Sequence, residues 1–117
     1  MSVLAATTVA ALLIASPSST DADRVAANGG FLLGNAQRCG IESERVVRAA
    51  RLVRGLIEAA SADGSDKEAA TTRFAEFFLV SAFADPRQQK LVASCRVVSS
   101  ELGRLEKHQL QLAGAGE

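Results

Sequence analysis

Tryptophan and tyrosine are absent from the 117-residue chain, histidine and methionine occur once each, and cysteine and proline twice each. Each shortage excludes something. Without Trp or Tyr there is little on which nucleic-acid bases could stack. A single histidine leaves a metal site without the converging His, Cys and carboxylate ligands it needs. Neither sign of charge predominates, because 13 Lys+Arg balance 13 Asp+Glu. No overall basic field therefore advertises a nucleic acid or an anionic membrane. Catalytic signatures are missing as well: there is no Gly-x-Ser-x-Gly, no phosphate loop and no His-Glu-x-x-His,. Gly29-Gly30 and Gly34 fall short of a dinucleotide fingerprint, since no strand pattern precedes them. Asp63-Gly64-Ser65-Asp66 fails as a calcium loop. With Gly64 in sixth place, Ala59 and Ala70 fall where the first and last carboxylates are required,. The expectation is a protein that is not an enzyme and holds neither metal nor cofactor.

What is present is 48% apolar and 22% charged, which excludes a disordered chain, and the length suits one domain. Val3 to Ala15 form an uncharged run of small and aliphatic residues. The run is shorter than the about 20 residues a membrane span requires and fits the apolar region of a secretory signal peptide. A leader over residues 1–22 follows as the expectation, with Thr20 and Ala22 at the two positions where the peptidase needs small side chains. No Lys or Arg stands ahead of the run, which departs from the usual pattern,. Once the leader is removed no membrane span is expected, and the protein is placed in a periplasm or outside the cell. The alternative is an N-terminal core helix in a cytoplasmic protein.

Residues 23–112 read as a single all-α domain of three to four helices, followed by a frayed tail over 113–117. The first segment covers roughly Asp23 to Cys39, with Val25, Leu32, Leu33, Ala36 and Cys39 able to share a face and Gly40 suited to end it,. Asn28, Gly29 and Gly30 predict a break or a late start there. The second segment, capped by Ser43, buries Val46, Ala49, Ala50, Val53, Leu56, Ile57 and Ala60 at helical spacing,. The third runs from about Asp66 to Ala84 and turns apolar almost all round, a pattern that a short buried strand also satisfies. Asp85-Pro86 reads as cap and first residue of the last helix, whose seam contains Leu91, Cys95, Val98, Leu102, Leu105 and Leu112, with Gln109 its polar member,.

Cys39 and Cys95 both fall on apolar faces, and in a small exported chain they are expected to form one disulfide. Two buried thiols are the alternative if the chain stays in the cytoplasm. The apolar run of the third helix, Phe77, Phe78, Leu79, Val80 and Phe83, exceeds what one helix face buries and points to a protein partner or a second copy. The same cluster could instead line a pocket for a small apolar ligand. Arg45, Arg48, Arg51 and Arg54 drift around the second helix as a basic face. Glu44–Arg48 and Arg54–Glu58 pairs would neutralise it, and an acidic partner of a cytosolic regulator would use it. His108 reads as a solvated surface residue. The leading expectation is a non-enzymatic exported helical protein, an adaptor, inhibitor or chaperone, that binds a protein partner. Nucleic acid is not expected as a partner.

Overall fold

The computed structural model describes residues 20–85 and 87–115, with side chains as far as residue 108. The expected leader lies outside the described residues up to position 19, as do Pro86 and residues 116–117, and the side chains of Gln109 and Leu112 lie outside them too. Four helices follow one another: α1 (Asp21–Arg38), α2 (Ser43–Ala60), α3 (Gly64–Ala82) and α4 (Cys95–Ala115). The chain is all-α among these residues, and the apolar third segment is a helix rather than a strand. No described helix is long and apolar enough to cross a membrane.

Local signals set most of the boundaries. Thr20 caps α1 by accepting from the Asp23 amide at 3.1 Å, and Asp21 and Asp23 lie at the positive end of the helix dipole,. α1 thus begins at Asp21 and uses Thr20 as its cap, with Ala22 fully buried. At the other end Gly40 takes φ +80°, the Ile41 amide reaches back to the Ala36 carbonyl and the Gly40 amide to that of Gln37. These two bonds satisfy carbonyls that the helix itself leaves open. Ser43 is already helical and Glu42 holds the cap position without a side-chain bond, a one-residue correction. Asp63 caps α3 by accepting from the Asp66 amide at 2.8 Å. The Asp66 carboxylate in turn accepts from the Ala62 amide and from the Thr20 hydroxyl, both at 2.9 Å.

Two expectations are overturned. Gly29 and Gly30 do not break α1, which is continuous through both. The reason is tertiary: α1 is the central helix, and its glycines let neighbouring backbones approach more closely than a Cβ permits. A Cβ on Gly30 would lie 2.6 Å from the Phe74 carbonyl oxygen, and one on Gly34 2.5 Å from that of Phe78. One on Gly29 would meet Val53 Cγ1 at 2.6 Å. The close packing of α1 with α2 and α3 offsets the about 1 kcal/mol that each glycine costs in a helix interior. Contacts running from Thr20–Asp66 through Gly30–Phe74 to Gly34–Ser81 show that α1 and α3 lie parallel.

The last helix also starts later than expected, at Cys95 instead of Asp85. The Asp85 carboxylate accepts from the Arg87 amide two residues on, at 2.8 Å, which makes a tight turn and not a helix cap,. Turns then continue through Leu91, and Ser94 supplies the cap by accepting from the Val97 amide at 3.2 Å. The connection is held to α1 by a fully buried Asn35. Asn35 Nδ2 donates to the carbonyls of Phe31 (2.9 Å) and Leu91 (3.0 Å), and its Oδ1 accepts from the Ala93 amide (3.0 Å) and from Arg38 Nε (3.1 Å). Asn35→Leu is expected to cost about 2–3 kcal/mol, because the loop's polar groups then stay buried without partners. A fall in the urea midpoint, with faster hydrogen exchange at the Ala93 amide, checks it.

The core is drawn from all four helices: Leu33 and Ala36 of α1, Val46, Ala49, Val53 and Ile57 of α2, Ala70 of α3, and Val98 and Leu102 of α4. α3 lies along α1 and α4 lies against α1 and α2, so the side of α3 turned away from α1 is left uncovered by the described helices.

Candidate functional site

Helical phase sorts the α3 apolar residues into two groups. Ala70, Phe74, Phe78 and Ser81 recur at three- and four-residue steps and turn toward α1, with Phe74 and Phe78 packed against the core,. Phe77 is half-buried beside Gly30. Leu79 at 55%, Val80 at 47% and Phe83 at 83% exposure fall on the opposite side, and the last two turns of α3 therefore present an apolar surface to solvent. Exposed Glu76 and Thr72 continue this face toward the helix start. Of the five residues expected to meet a partner, three are available and two serve partly to join α3 to α1.

A cavity of about 550 Å³ opens elsewhere, between α1, α2 and α4. Val25, Leu32, Val53, Leu56, Val97 and Leu105 form its apolar wall, and Asn28, Glu101, Arg104 and His108 its polar margin. Phe31 is the one phenylalanine on it, so the cavity draws nothing from the α3 cluster. Residues from three helices meet there, and no local motif marks the site. His108 is exposed, as expected, yet stands at this margin.

The sulfur pair is bonded: Cys39, the cap residue of α1, is joined to Cys95, the first residue of α4, with the Cα atoms 5.7 Å apart. Among the described residues no three His, Cys, Asp or Glu side chains gather closely enough to hold a metal ion.

The basic face is divided. Arg45 turns away to Glu106 of α4, with Nε and Nη2 at 2.9 and 2.8 Å from the two carboxylate oxygens. Arg48, Arg51 and Arg54 remain exposed. The local pairs expected for them do not form, and Glu58 is taken by Lys67 of α3 at 3.0 Å. The hydrogen bonds from Arg45 hold the Glu106 carboxyl below its ordinary range, and Glu106 in turn raises the Arg45 guanidinium. A depressed carboxylate stabilises the fold above its unfolded pKa, and that contribution disappears as pH falls through the folded value. Both side chains are about one-third exposed, 31% and 33%, so the effect is about 1 kcal/mol or less. Glu106→Gln is expected to remove this portion of the acid sensitivity and little else. Urea titrations of both proteins at neutral and acid pH measure it.

No protein family matches the chain, and neither a curated protein nor a solved structure matches it significantly.

Proposed function

We propose that the protein is a non-enzymatic helical binding protein that works outside the cytoplasm, with the outer side of α3 meeting another polypeptide. The exposure of Leu79, Val80 and Phe83 carries this reading. Scattered exposed apolar residues are ordinary on a protein surface, but three within five positions, on the side of α3 that the described helices leave uncovered, make a contiguous patch of the kind that marks interaction sites. The large aromatic Phe83, the cap residue at the end of this face, suits an interface anchor,. Work outside the cytoplasm is supported by the Cys39–Cys95 bond and by the leader-like composition of Val3 to Ala15,.

A photo-crosslinking residue placed at Leu79 in the native cells is expected to join the chain to a defined polypeptide. The adduct should weaken strongly when Phe83→Asp is added, and a crosslinker at Arg54 on α2 should give none of it. Equal yields from both positions, or none from Leu79, would remove the basis for the proposal.

A further inference from the structure

Along α4 the polar lining of the cavity between α1, α2 and α4 gathers toward the later part of the helix. The Cys39–Cys95 bond sets the end of α1 beside the start of α4, where Val97 and Val98 line the cavity, and Glu101, Arg104 and His108 follow beyond them on the same helix, with Leu105 among them. From Val97 to His108 the groove follows about 16 Å of the α4 axis, at about 1.5 Å per residue. Its volume of about 550 Å³ falls within the range of about 300–1,000 Å³ usual for small-ligand sites. A long apolar trough with one polar end matches a chain molecule with one head group.

The charges choose the head. Glu101 approaches Arg104 to 3.8 Å from one side, and a guanidinium with five donors has several left over. The Asn28 amide and the His108 imidazole add further donors at the same margin, against the single carboxylate of Glu101,. We infer that this groove binds a single-chain amphiphile with an anionic head, the alkyl chain lying along Leu32, Val97 and Leu105 and the head meeting Arg104. The site is separate from the α3 surface, so either can fail without the other.

Calorimetric titration of the full chain with dodecanoate, below the concentration at which it forms micelles, tests this. Saturable binding of one dodecanoate per chain is expected, at least tenfold tighter than dodecyltrimethylammonium. Val97→Trp, at a position 52% exposed in the free protein, should weaken dodecanoate at least tenfold by filling the trough. Arg104→Glu, on a side chain 77% exposed, should erase the preference for the anion while the chain still binds. Leu79→Asp should change neither affinity, and circular dichroism verifies the helix content of each variant. Absence of one-to-one binding, equal affinity for the cationic amphiphile, wild-type behaviour of Val97→Trp and Arg104→Glu, or loss of binding in Leu79→Asp would each overturn the inference.

Discussion

Replacing Cys39 and Cys95 together by serine is expected to lower the melting temperature by roughly 15–30 °C. The bond spans 56 positions, and in the chain-entropy account closing such a loop removes about 4 kcal/mol worth of freedom from the unfolded chain. Each kcal/mol moves the melting point of a domain this size by about 4–8 °C. Total stability is about 5–15 kcal/mol for ordinary domains, so the loss approaches the whole at the lower end. Geometry sharpens the effect, because the bridge fastens the beginning of α4 to the end of α1. Without it, among the described residues, the connection from Ala84 to Ser94 depends on the Asn35 and Arg38 hydrogen bonds alone for its tertiary polar contacts. Thermal unfolding of the double variant by circular dichroism, beside wild type with and without reductant, reads this directly. The reduced wild type should resemble the variant. Coincident melting curves in all conditions would show that the bond contributes nothing to stability.

Stability should respond with opposite signs at helix glycines that look alike in the sequence. Gly34→Ala places a Cβ 2.5 Å from the Phe78 carbonyl oxygen and 2.6 Å from Ser81 Cβ. Backbone atoms of a packed helix yield poorly, so overpacking of about 1–3 kcal/mol outweighs the about 1 kcal/mol gained in helix propensity. Gly34→Val should lose still more, by driving α3 off α1. Gly55→Ala and Gly103→Ala meet nothing within 4 Å in their helices and should each stabilise the fold by about 0.5–1 kcal/mol. Chemical denaturation of the four variants settles it through the direction of each midpoint shift. Stabilisation by Gly34→Ala would mean that the two helices do not pass as closely as described.

These glycines also show where sequence reading ran out. Propensity is a local quantity, and Gly29-Gly30 looks like a helix break until a second backbone lies against it. α2 was legible because its apolar residues carry the pattern: Val46, Ala49, Val53 and Ile57 recur at helical spacing and all four are buried, while Ala50, Leu56 and Ala60 flank them half-buried. The start of α4 is hidden from local signals for a related reason. Asp85-Pro86 has the chemistry of a helix start, yet the Asp85 side chain closes a turn, and contacts more than fifty residues distant hold the chain beyond it. Asn35 is not legible locally, since a lone Asn in a helix carries no signal beyond being polar among apolar neighbours. The cysteine bond was legible from the count of two, whereas the expected apolar face holds for half-buried Cys39 and not for Cys95, which is exposed.

For the candidate surface, composition located the Phe77–Phe83 stretch but not its phase. Only the position of α1 decides that Phe78 turns inward and Phe83 outward. The basic face fared less well, since its first member finds Glu106 at a separation of 61 residues, beyond any helical spacing rule. The cavity could not be foreseen either, as its wall is assembled from three helices.

Five phenylalanines and no other aromatic residue except His108 make fluorine labelling a direct probe of where the exposed apolar surface lies. With 4-fluorophenylalanine at all five positions, each resonance assigned by single Phe→Leu replacement, a soluble paramagnetic agent can be titrated into dilute monomer. Phe83 should relax several times faster than Phe31, Phe74, Phe77 or Phe78, and should lose that excess once the crosslinked polypeptide is bound. A Phe83 resonance as shielded as that of Phe78 in the free monomer would contradict the account.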